Sequence, residues 1–156
     1  LLVESRHASP VTAGWWISFY WGSLTAGRFL IGALANRIAP VLLVRLSMAG
    51  ALAGLGLIAL NARPAFDLLG LILTGFSLAS IFPSLIAATP QRMEAAHVAH
   101  AVGFQVGAAS LGLAMMPGLA GVLAPFMGLE SIPLFLIGAA LAMALLHEAI
   151  VRRSSP

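Results

Sequence analysis

The sequence contains no cysteine and no lysine. Without cysteine there are no disulfides, no thiolate metal sites and no cysteine nucleophile. Charge is also scarce, at 8% of residues against about 25% in an average soluble domain. Thirteen acidic and basic side chains could not cover a water-soluble particle of 156 residues. With 60% hydrophobic residues and a mean hydropathy of +1.01, the composition is that of a membrane protein. The basic residues, all arginine, are scattered singly except for Arg152-Arg153. They do not form the clustered basic face that nucleic acid requires, so no nucleic-acid partner is expected. The net charge of +3 is read instead as loop charge that orients a chain in lipid, the partner it must have.

A membrane-crossing helix needs about 20 mainly apolar residues. Five stretches qualify, at 13–35, 41–60, 65–88, 98–123 and 132–151. Residues 1–12 precede them and a polar tail, 152–156, follows. Proline stands at most boundaries (Pro40, Pro64, Pro90, Pro125), where the backbone must leave a helix. Ten-residue alternating segments are absent, which argues against an outer-membrane barrel. The expected fold is an all-α membrane protein of five transmembrane helices. Leu1 to Val3 read as the end of an earlier helix, with no initiator Met and no signal peptide, so a fragment is expected. Arg37, Arg45, Arg92, Arg152 and Arg153 gather on one side of such a chain, with Arg6 and Arg63 on the other. That imbalance predicts a multi-pass cell-membrane protein, of the bacterial inner-membrane kind, with its C-terminus in the cytoplasm.

Polar residues inside a bilayer are costly and turn toward protein or a wet cavity. The first span carries Ser18, Tyr20, Ser23, Thr25 and Arg28; the third carries Thr74, Ser77, Ser80 and Ser84; the fourth carries Gln105 and Ser110. The second and fifth spans are nearly free of such groups and read as outer supports. Membrane serines and threonines commonly serve helix packing and bonds within their own helix. Their concentration on three spans nevertheless predicts a shared polar surface, lined by Trp16, Tyr20, Ser23, Ser77, Ser80 and Gln105. Two small-residue faces, Gly50-x-x-x-Gly54 and Gly103-x-x-x-Gly107, predict close helix approach. Pro83 and Pro117 predict kinks inside spans three and four.

Catalytic patterns fail on inspection. His147-Glu148 lacks the second histidine of a zinc motif, since Val151 occupies its place. Glu94 and His97 are a single i, i+3 pair, short of a di-metal bundle. There is no G-x-S-x-G nucleophile turn and no dinucleotide fingerprint. No enzyme, metal or cofactor is expected.

The stretch Gly27-Arg28-Phe29-Leu30-Ile31-Gly32-Ala33-Leu34-Ala35-Asn36-Arg37 resembles the loop motif G-x-L-A-D-R-x-G-R of the major facilitator superfamily. Gly32, Leu34, Ala35 and Arg37 match; Asn36 stands where Asp is usual, and Ala39-Pro40 replaces the Gly-Arg pair. Gly75 to Pro83 is similar to the tenth helix of fucose-permease-like members, and Gly103 to Gly118 to their eleventh. The resemblance implies helices eight to twelve of a partial C-terminal six-helix bundle. It implies a missing N-terminal half as partner and alternating-access transport of a small polar solute such as a sugar. Gly27, Arg28, Gly32, Asn36, Arg37, Pro83 and Pro117 would then be structural or gating residues. The rival is a small multi-pass scaffold or assembly subunit.

Overall fold

A computed structural model describes residues 1–34 and 37–154 as five helices. They are α1 (Pro10–Leu34), α2 (Pro40–Leu60), α3 (Pro64–Ala88), α4 (Ala95–Met127) and α5 (Ser131–Ser154), with a 3-10 turn, Thr89–Gln91, after α3. Before α1, residues 2–6 form a turn in which the Ser5 and Arg6 amides reach back to the Leu1 carbonyl.

Proline opens α1, α2 and α3 as their first residue, where its missing N–H is not needed and its fixed φ suits the helix. Ser9 caps α1 by accepting the Thr12 amide at 3.1 Å. Asn61 closes α2 in the left-handed region, at φ 45°. Gly128, at φ 80°, makes the turn between α4 and α5, and a side chain there would be strained. Pro125, an expected helix end, lies within α4 instead. It falls in the last turn, and the Gly128 amide still closes on the Ala124 carbonyl at 2.9 Å.

Among the described residues, four helices are long and apolar enough to cross a membrane: α2, α3 with its 3-10 turn, α4 and α5. α1 has the length, 25 residues, but stands outside that set of spans. Its tryptophans, Tyr20, Ser18, Ser23, Thr25 and Arg28 dilute the apolar residues. Five spans were expected, and α1 is the one whose composition does not carry it alone.

Packing runs in the order α1, α3, α2, α5, α4, and α4 also touches the 3-10 turn. The most extensive interface joins α2 to α3, followed by α1 to α3. Val44, Met48 and Ile81 are buried together, with Leu85, Met143 and Ala144 packed against them. α2 is therefore not the outer support expected from its lack of polar residues. Lipid is as apolar as leucine, so membrane helices associate through close packing rather than through hiding apolar surface. Gly54 and Gly70 allow that approach: a Cβ on Gly70 would lie 2.6 Å from the Gly54 carbonyl oxygen. By contrast, α4 has no buried residue.

Candidate functional site

The α1 residues Trp16, Tyr20, Ser23 and Gly27 fall on one helix face by their spacing. The structure lays the Tyr20, Ser23 and Gly27 part of that face along α3. A Cβ on Gly75 would meet Ser23 Oγ and the Tyr20 carbonyl, and one on Gly27 would meet Ala79 and the Phe76 carbonyl. Ser23 Oγ donates to the Tyr20 carbonyl at 2.8 Å, within its own helix. Ser18 and Thr25 do the same toward Gly14 and Trp21, both at 2.9 Å. Tyr20 stacks edge-on against Trp21, with ring centroids 5.4 Å apart.

The α3 serines serve a second seam. Ser77 is buried beneath Gly50, Ser80 is hydrogen-bonded to Ser47 of α2, and Ser84 is buried on the same face. Thr74, beside Gly54, is buried with its Oγ1 lacking a hydrogen-bond partner. Ser80 ties α3 to α2 through Ser47, and Ser77 and Thr74 pack on Gly50 and Gly54 of α2, so these hydroxyls lie along the α2–α3 seam rather than on a surface shared with α4.

Gln105 stands apart from both seams. Its Nε2 donates to Thr89 Oγ1 at 3.0 Å, and Thr89 Oγ1 donates to the Leu85 carbonyl at 3.0 Å. The pair lies in the wall of a cavity of about 670 Å³ between α3, α4 and α5, with Met48 of α2 also lining it. The six residues expected to line one surface are thus divided. Trp16 borders a small cavity beside Arg6 and Asp67, Tyr20 and Ser23 face α3, Ser77 and Ser80 face α2, and Gln105 faces α5 and the 3-10 turn.

The motif residues are brought together more closely. Arg28, Gly32 and Pro83 line one cavity of about 350 Å³, with Ser80 and Ser84, while Gly27 sits in the adjoining α1–α3 contact. Arg37 is exposed in the link between α1 and α2, and Asn36 lies outside the described residues. Pro117 is exposed on α4, away from this group. The second small-residue face is likewise unpartnered: a Cβ on Gly103 or Gly107 would meet nothing within 4 Å. Those two glycines make no close helix approach among the described residues.

Two ion clusters were not paired from the sequence. Arg6 is 5% exposed at its side chain and donates to Asp67, to Glu130 Oε2 at 2.7 Å and to the Ile58 carbonyl at 2.8 Å. It joins the segment before α1 to the end of α2, the start of α3 and the α4–α5 turn. The hydrogen bond to Glu130 holds the Arg6 guanidinium above its ordinary pKa. The same bond holds the Glu130 carboxyl below its own. At the other end of the bundle, Arg45 of α2 bonds Glu148 of α5, with one contact at 2.8 Å. The signal was available: Arg6, Asp67 and Glu130 all fall on one side of the sequence-derived topology, as do Arg45 and Glu148 on the other. Among the described residues, no group of three or more His, Asp or Glu is placed to hold a metal ion.

Bilayer-length helices sealed by small-residue and hydroxyl seams, with ionic ties at the helix ends, define a multi-pass α-helical membrane protein. The family model of the Major Facilitator Superfamily matches residues 1–156, and the chain belongs to that superfamily of membrane transporters. No curated protein and no solved structure matches it.

Proposed function

We propose that the chain supplies helices eight to twelve of a secondary transporter that moves a small polar solute, a sugar on the fucose-permease-like resemblance, by alternating access. In this reading the transporter sits in the cell membrane with the C-terminus of this chain in the cytoplasm. The observation that supports it most is the openness of the packing order at both ends. α4 has no buried residue, and its glycines at 103, 107, 118 and 121, which share one face by their spacing, have nothing within 4 Å of a would-be Cβ. A face of small residues in a membrane helix is a docking face for other helices. Further helices seated between α1 and α4, including an N-terminal half, would close the row around a pathway at the midplane.

The seams give the working parts. α1, α2 and α3 interlock through Gly27, Gly54, Gly70 and Gly75 and move as one body. α4 is tied to that body at the Thr89–Gln105 hydrogen bond, which opens as the halves rock and frees the Gln105 amide for solute. Tyr20, packed against Gly75 of α3, is the α1 residue assigned to solute contact. Uptake of a panel of labelled sugars by the protein of the full reading frame, with Tyr20→Phe and Gln105→Ala, tests this assignment. Altered affinity or selectivity is expected in both variants. Unchanged uptake in correctly inserted protein rules these residues out as solute contacts.

A further inference from the structure

The cavity of about 670 Å³ beside Gln105 has a feature that solute transport does not use. Its wall is apolar, with four methionines (Met48, Met93, Met116 and Met143) among the lining residues. Methionine is flexible and polarizable, and adapts to an irregular or mobile apolar guest. Four polar side chains interrupt that wall: Thr89, Arg92, Gln105 and His147. Thr89 and Gln105 are bonded to each other. The other two are not engaged. His147 is only 5% exposed, and its Nε2 has no hydrogen-bond partner. Among the described residues Arg92 belongs to no ion pair, and Glu148, the acid adjoining His147 in sequence, is held by Arg45. A buried polar atom left unpaired is costly, and native proteins rarely keep one without a reason.

The guanidinium only donates, and His147 Nε2 donates in its Nε2–H tautomer or as imidazolium, so the one group that serves both is an oxyanion. The methionine wall asks for an aliphatic body on the same molecule. The position selects the source. α3, α4 and α5 are all bilayer-length helices, and Arg92 lies in the link just after α3, at the level where lipid headgroups stand. Arg152 and Arg153 are exposed in the last turn of α5, a few residues beyond His147, and would draw anionic lipid to this end of the bundle. We propose that this cavity binds an anionic phospholipid, with one acyl chain along the methionine wall and the phosphate held by Arg92 and His147 Nε2. The lipid then fills the gap between α4 and α5, the least sealed contact between two of the five helices, and leaves the Thr89–Gln105 hydrogen bond free to open.

The test uses the protein of the full reading frame in nanodiscs of phosphatidylcholine, alone or mixed with phosphatidylglycerol. Bound phosphatidylglycerol is counted by native mass spectrometry. The wild type is expected to retain one phosphatidylglycerol selectively, and Arg92→Gln to bind it about tenfold more weakly, the loss of one charge-assisted hydrogen bond. His147→Leu is expected to lose selectivity to a similar degree. Its thermal midpoint in phosphatidylcholine alone should be no lower than that of the wild type, because the unpaired nitrogen is gone. A double change at Arg152 and Arg153 to Gln should lower the general excess of phosphatidylglycerol around the protein but keep the one selectively retained lipid. Equal retention by the wild type, Arg92→Gln and His147→Leu overturns the proposal, as does loss only in the Arg152/Arg153 variant. Displacement of the lipid by oleate or inorganic phosphate at comparable concentration assigns the site to a free anion and also overturns it. If one of the two cavity variants fails to insert, the other variant and the displacement arms decide.

Discussion

At the scale of single residues, Arg6 carries more of the structure than any other charge. One guanidinium serves Asp67, Glu130 and the Ile58 carbonyl, and its removal leaves two carboxylates facing one another with no cation between them. Breaking a buried ion pair from one side costs about 3 kcal/mol or more. Arg6→Gln is therefore expected to lower the unfolding free energy, read from mixed detergent–SDS titrations, by that amount. Asp67→Asn leaves Arg6 engaged with Glu130 and should cost about 1 kcal/mol. Equal losses would show that the three groups do not act as a cluster. The pH dependence has a definite sign. The Glu130 carboxyl is held below its ordinary value of 4.5, first by the Arg6 hydrogen bond, so its contribution to stability is complete above that pH. It is lost as pH falls through the depressed value in the folded protein. Glu130→Gln should flatten that acid limb of a midpoint-against-pH curve, while the guanidinium stays charged throughout. These residues could be placed on one side of the membrane from loop charge alone. Their pairing could not, because it joins positions that are distant in sequence and depends on how the helix ends converge.

At the scale of helices, glycine positions separate packed faces from open ones. Gly70 has the Gly54 carbonyl and Ile58 within 2.6 Å of a would-be Cβ, so Gly70→Ala must push α2 away from α3. Such overpacking costs about 1–3 kcal/mol. Within residues 1–156 alone, Gly107→Ala meets nothing within 4 Å, and the gain in helix propensity of about 1 kcal/mol should leave the midpoint of that stretch unchanged or slightly raised. Comparing the two midpoints in SDS titration checks this; a larger loss at Gly107 in the same stretch would mean that α4 packs against α1, α2, α3 or α5, whereas a loss seen only in the full reading frame is what docking of further helices on this face requires. The same contrast marks what the sequence could and could not reveal. Apolar length and proline placement made the helices legible, and the motif around Gly32 and Arg37 made the family legible. Both Gly-x-x-x-Gly faces looked alike on paper, yet Gly54 is packed and Gly103 is not. Likewise Ser77 and Ser80 share a polar stripe, but a stripe does not say which neighbour it meets; Gly50 and Ser47 of the apolar α2 made that choice. α2 looked peripheral because it has few hydroxyls, whereas small size, not polarity, draws membrane helices together.

At the scale of the whole molecule, an open row of helices implies unequal mobility. α1, α3 and α2 interlock along small-residue seams, while α4 hangs on α5, the 3-10 turn and the Gln105–Thr89 hydrogen bond. If rocking separates α4 from the slab, linkers placed at the two kinds of interface must act differently, and none of the 156 residues is a native cysteine that could compete with either engineered pair. Ser47 and Ser80 are in hydrogen-bond contact, close enough for a Ser47→Cys/Ser80→Cys disulfide. Closing that bond ties two parts of one rigid body, so the oxidised protein should take up solute at the rate of its own reduced form. A Thr89→Cys/Gln105→Cys pair joined by a short thiol cross-linker spans the interface that must open. The linked form should lose most of its uptake, and cleavage of the linker should restore it. Uptake by the full reading frame, measured before and after linkage in each variant, decides between the two. If the Ser47–Ser80 disulfide arrests transport while the Thr89–Gln105 linker does not, the moving boundary lies between α2 and α3, and the rigid slab is wrong.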